Sequence, residues 1–112
     1  MLPEEHRLSS THDFNLLKRH GESVRCPFFV LLYRENKKDK SRFGFVTSTK
    51  FDKRATKRNR ARRLLREAVR QQLSDIASGY DMMFIARAPL KEAGFEEVSS
   101  SLDKVLSKVS LL

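Results

Sequence analysis

Apolar and polar positions recur in two rhythms along this chain. From residue 55 to about 77 the apolar positions Ala61, Leu64, Leu65, Ala68, Val69, Leu73 and Ile76 return every three or four residues, the signature of one buried helix face. Gly79 is the expected stop. A second stripe, Phe95, Val98, Leu102, Val105, Leu106 and Val109, predicts a C-terminal helix. A shorter helix can start at Ser10 or Thr11 as cap, with Asp13 in its first turn, Phe14 and Leu17 on one face, and Gly21 at its end. Between the helices the rhythm changes. Residues 28–33, Phe-Phe-Val-Leu-Leu-Tyr, are too rich in aromatic and β-branched side chains to prefer a short helix. Residues 42–48 read as their antiparallel partner across the polar connection 35–41, which predicts a hairpin with a long loop. Residues 80–86 predict a third, largely buried strand, ended by Arg87-Ala88-Pro89.

The predicted order is therefore α-β-β-α-β-α: an α+β sandwich with a three- or four-stranded sheet and helices packed on it. The third strand follows a long helix, so it can pair parallel to an earlier strand through a βαβ crossover. Residues 1–9 are polar and read as an extended N-terminal segment over the surface. No repeat, low-complexity stretch or linker divides residues 1–112, so a single domain is expected.

Composition narrows the function classes. The longest unbroken apolar run is that at 28–33, far short of the roughly 20 residues that span a bilayer, so no membrane association is expected. A signal peptide is not expected either. The single cysteine, Cys26, leaves no internal disulfide to form, which fits a reducing, cytoplasmic setting.

Charge changes the picture most. The chain carries 23 Lys and Arg against 14 Asp and Glu, a net +9 with a pI near 10.1. Residues 53–70 hold nine bases (Lys53, Arg54, Lys57, Arg58, Arg60, Arg62, Arg63, Arg66 and Arg70) against the one acid Glu67, so nearly all the excess sits in one segment. On a helix, Arg58, Asn59, Arg62, Arg63, Arg66 and Arg70 fall within an arc of roughly 140° away from the apolar stripe. One side can bury while the other presents a cationic stripe. Seven of the nine bases are Arg, whose planar fork suits phosphates, so a polyanionic partner is expected.

Groups for catalysis by the protein itself are sparse. His6, His12 and His20 lie in or near the first helix without Cys or carboxylates at metal-ligand spacing. Glu96 and Glu97 are about 100° apart on a helix and read as solvated charges. No GxxxxGK[ST] or GxGxxG loop occurs, and Cys26 beside Pro27 reads as a structural thiol. Any chemistry is expected to come from the partner.

The segment Lys57-Arg58-Asn59-Arg60-Ala61-Arg62-Arg63-Leu64-Leu65-Arg66-Glu67, with Ala55 before it, resembles the signature helix of the bacterial ribonuclease P protein subunit, roughly A-x-x-RNR-x-[KR]-R-L-x-RE. The likeness extends to Asp13-Phe14, His20-Gly21, Arg42-x-Gly44 and Tyr80-Asp81-x-x-x-Ile85-Ala86-Arg87. The resemblance implies an RNA-binding sandwich whose βαβ crossover is left-handed. It also implies a catalytic RNA partner that, with Mg²⁺ held mainly by that RNA, removes the 5′ leader of precursor tRNA. Carried over by position, Lys53, Arg54, Arg58, Asn59, Arg60, Arg62, Arg63 and Arg66 would bind the RNA subunit. Phe14, Lys18, Phe28, Val30, Leu32 and Lys50 would line a cleft for the single-stranded leader, with a plain core role equally open for Phe28. Lys18 and Leu32 stand where the family often has aromatics, so leader stacking should be weaker and more electrostatic here. Tyr33 should face the other side of its strand. A general RNA-binding protein or RNA chaperone would use the same stripe without leader preference.

Overall fold

The computed structural model describes all residues except Met1 and Ser9. Its elements run α1 (Thr11–His20), β1 (Glu22–Arg25), β2 (Phe29–Glu35), β3 (Arg42–Val46), α2 (Ala55–Gln72), β4 (Tyr80–Ala86) and α3 (Phe95–Lys108), with short 3-10 turns at Glu4–His6, Leu73–Asp75 and Ala88–Glu92. The fold is the expected α+β sandwich, on a four-stranded mixed sheet of order β1-β2-β4-β3.

The expected hairpin between the second and third strands does not form. β4 lies between β2 and β3, antiparallel to β2 (Leu31 opposite Phe84) and parallel to β3 (Phe45 opposite Phe84). The polar connection after β2 is long enough to step over one strand. The central place goes to β4, whose run Asp81-Met82-Met83-Phe84 is buried throughout. The parallel pair β3–β4 is joined through α2, as the crossover reading required. β1, unforeseen, pairs antiparallel with β2 (Val24 opposite Leu31). Its Glu-Ser-Val-Arg has a single apolar residue, and an edge strand needs no more.

Alternation along the strands divides the molecule into two unequal cores. Phe29, Leu31, Phe43, Met82 and Phe84 point to one face, where Ala61, Leu65, Ala68 and Val69 of α2 and Val98, Leu102, Val105 and Leu106 of α3 bury against them. On the other face Leu8, Leu17 and Met83 form a small cluster, with Phe14, Leu32, Val46 and Ile85 half-buried around it. Tyr33 joins the main core, on the side expected of it.

Two boundaries shift. α2 ends at Gln72, and residues 73–75 tighten into a 3-10 turn before Gly79, whose φ of +85° starts the entry to β4. The N-terminal segment is not simply extended over the surface. Glu4–His6 makes a 3-10 turn, Leu2 and Leu8 are buried, and Arg7 bridges in parallel to Phe43 on the sheet edge. Two leucines in a polar stretch were enough to anchor it; Met1 and Ser9 lie outside the described residues.

Candidate nucleic-acid interface

The helix α2 is built against the usual rule for helix ends. Its N-terminus carries partial positive charge, yet its first turn has no acid and its cap, Arg54, makes no side-chain cap bond. The work falls to Asp52. Its Oδ1 accepts from the Arg54 backbone N–H at 2.8 Å, and its carboxylate is gripped by the Arg54 guanidinium at 3.1 and 2.9 Å. The Arg54 hydrogen bonds hold the nearly buried Asp52 carboxyl well below the usual carboxylate range. Arg58 donates from Nη1 to the carbonyls of Asp52 and Lys53 at 2.9 and 2.8 Å. Farther along, hydrogen bonds from Arg70 pull the Glu67 carboxyl down to about 2. The segment's two nearest acids are thus tied to its own arginines.

Of the eight residues expected on the RNA-subunit surface, four converge. Asn59, Arg62, Arg63 and Arg66, with Thr56, line an open concavity of about 440 Å³ on the outer side of α2. Arg62 is steered within it, donating to Thr47 Oγ1 at 2.7 Å and to Asn59 Oδ1. This engages the Asn59 acceptor and leaves its amide group to donate. Arg54 and Arg58 instead secure the entry to α2, at the edge of that surface. Lys53 stands with Lys50, Phe51, Arg54 and Lys91 around a second concavity of about 540 Å³. Arg60 departs from the expectation: it turns toward the approach to α3, its Nη2 3.4 Å from the Ala93 carbonyl. At 100° per residue it lies outside the arc of the others.

The cleft residues divide as well. Val30, Ile85 and Val46 stand side by side on β2, β4 and β3, a half-buried apolar row on the α1 face of the sheet, with Arg25 opposite Val30 on β1. The next row, Leu32–Met83–Gly44, lies nearer α1. Phe14 lies so close above Gly44 that a Cβ there would meet its ring at 2.6 Å, so only glycine fits beneath it. Phe14, Val30 and Leu32 therefore come to one face, with Lys18 exposed on the last turn of α1. Phe28 does not join them, because it precedes β2 and packs against the main core. Lys50 belongs to the concavity beside Lys53 instead.

Several site members were missed, among them Arg25, Val46 and Ile85 of the apolar row, Thr56 and Thr47 beside Arg62, and the cations Arg7 and Lys91. Arg7 and Arg66 flank a groove of about 470 Å³ whose walls include Phe14, Gly44 and Phe45, so Arg66 connects the α2 surface with the α1 side. Its guanidinium lies 5.7 Å from the centre of the Phe45 ring, which stacks on Phe84. Lys91 lies 5.3 Å from the Phe51 ring centre and 3.8 Å from Asp52. Neither Arg7 nor Lys91 had a sequence signal beyond its charge, and Thr47 had none. Among the described residues no three His, Cys, Asp or Glu side chains converge as a metal-ligand set. Nor is any helix among them long and apolar enough to cross a membrane.

A family model for ribonuclease P matches residues 2–110. The chain belongs to the ribonuclease P protein family. The ribonuclease P protein component of Clostridioides difficile is 36% identical over 105 residues, covering 93% of this chain and 91% of the relative. Among solved structures, the ribonuclease P protein of Staphylococcus aureus superposes with a TM-score of 0.85 at 31% identity, covering 95% of this chain and 96% of that one. That of Thermotoga maritima gives 0.83 at 36% identity, covering 91% and 96%. As a ribonuclease P protein the chain serves a tRNA-processing ribonucleoprotein. The α2 face presents an array of guanidiniums, groups whose planar fork matches phosphate geometry.

Proposed function

We propose that this protein docks through the outer face of α2 on the catalytic RNA of ribonuclease P, and holds the 5′ leader of precursor tRNA along the apolar row beside α1. The observation that carries this reading is the coexistence of two unlike surfaces on one small scaffold. Asn59, Arg62, Arg63 and Arg66 offer charge and forked donors suited to a folded, phosphate-dense RNA. The row Val30–Ile85–Val46, bordered by Phe14 and Arg25, offers apolar surface on which unstacked bases rest without strict sequence preference. With Leu32 and Lys18 in place of aromatics, the leader is held by shape and charge more than by ring stacking.

In this reading the RNA carries the hydrolysis and most of the Mg²⁺, through its own oxygens. The protein's cationic face lowers the Mg²⁺ needed to fold and dock the substrate, and the holoenzyme works in the cytoplasm. Reconstitution with a cognate catalytic RNA tests it. The protein alone should cleave nothing, yet it should raise 5′-end cleavage at low Mg²⁺ and favour precursor over mature tRNA more as the leader lengthens. Stimulation that ignores leader length would favour the RNA-chaperone reading; no stimulation would sink the proposed role.

A further inference from the structure

We infer that Asp13 and Arg42 form a clamp that sets α1 over the sheet and so sets the width of the leader cleft; this rests on the leader reading above. The clamp begins at Asp81, a nearly buried carboxylate on β4. Arg42 grips it with a fork, Nε to Oδ1 at 2.8 Å and Nη2 to Oδ2 at 2.7 Å, and Asn36 adds an amide donor to Oδ1 at 2.9 Å. These hydrogen bonds to Asp81 raise the Arg42 pKa further above its ordinary value. Separating such a pair would strand a poorly solvated charge, so Arg42 is fixed in place.

The same Nη2 lies 3.2 Å from Asp13 Oδ2 in the first turn of α1. Among the described residues no other ion pair joins α1 to the sheet. The remaining holds on α1 are apolar: Phe14 against Gly44, and Leu17 in the small cluster. Apolar contact is non-directional and tolerates sliding. The carboxylate–guanidinium contact is directional and gives α1 its register. Phe14 follows Asp13 directly, so a loosened clamp displaces a wall of the cleft without removing any side chain placed in it. Asp13 and Arg42 are positioning residues.

The test uses holoenzyme reconstituted with Asp13→Asn and Asp13→Glu proteins, on precursors with long and truncated leaders. Asp13→Asn should raise KM for the long-leader substrate by about threefold, the scale of a partly exposed ion pair. It should leave kcat and affinity for the catalytic RNA unchanged, and Asp13→Glu should restore most of the loss. Hydrogen exchange of α1 amides should quicken in Asp13→Asn with the melting temperature little changed. Equal KM losses for both leaders, or a wild-type leader ratio in Asp13→Asn, overturns the clamp. A wild-type holoenzyme indifferent to leader length overturns the leader reading itself, and the clamp with it.

Discussion

Helices α2 and α3 pack side by side on the same face of the sheet, yet they are charged in opposite ways. α3 obeys the dipole rule: Glu96 and Glu97 sit in its first turn, Glu97 Oε1 accepts the Gly94 N–H at 3.1 Å, and Lys108 sits in its last turn. α2 breaks the rule at its N-terminus, where Lys57 and Arg58 crowd the positive end with no acid in the turn. Buried faces are alike in kind, so packing does not explain the contrast. A local rule broken in one helix and kept in its neighbour marks a segment shaped by something other than stability, which agrees with the docking role proposed for α2.

The largest effect should come from what the two helices share. Leu65→Asp puts a charge among the buried residues of α2 and should abolish cooperative unfolding; a normal melting curve would show that this side of the helix is not packed. Next, Arg62→Ala with Arg66→Ala should weaken binding to the catalytic RNA by about tenfold or more and reduce the slope of log affinity against log salt by about two, with the fold retained. Lys104→Ala on α3 should leave both unchanged. Equal effects from both helices would erase the distinction.

Lys57→Glu sharpens the comparison most directly, because it gives α2 the acid that α3 has. It should raise the melting temperature of the free protein by about 2–4 °C while lowering RNA affinity, a pairing read by calorimetry and filter binding. The smallest effect concerns Asp52, the substitute cap. Its carboxyl is held below the ordinary range, so its ion pair with Arg54 stabilises the fold above the unfolded pKa of about 4 and is lost as pH falls through the lower folded value. Asp52→Asn should lower the neutral-pH melting temperature by about 3 °C, with the gap closing in acid.

The helices were legible because their signal is local. The stripe from Ala61 to Val69 and that from Val98 to Leu106 are read from neighbours three and four residues apart, and both are buried as expected. Strand order was not legible, since nothing local in 28–33 says that its partner is 80–86 and not 42–46. β1 was missed because Val24 alone carries its apolar pattern. Helix geometry alone puts Asn59, Arg62, Arg63 and Arg66 on one arc with Arg58 and Arg70, while their role as a surface came from the family resemblance. The direction of Arg60 and the pairing of Arg54 depend on Ala93 and Asp52, contacts a periodicity cannot reveal. Phe28 came to the cleft through the family resemblance with a core role equally open, and at the Pro27 bend it packs against the main core.

The central place of β4 has a consequence for how the chain is made. β4 is the last strand to be synthesised; β3 has it as its one partner in the sheet, and β2 has it on the side away from β1. Until Ala86 leaves the ribosome, the β1–β2 hairpin has no further partner, and the apolar side of α2 has no completed sheet to cover. Most of the stability of an amphipathic helix comes from the packing of its apolar face. For that interval the most basic segment of the chain is already made, while the sheet that its apolar side packs on is still lacking its middle strand.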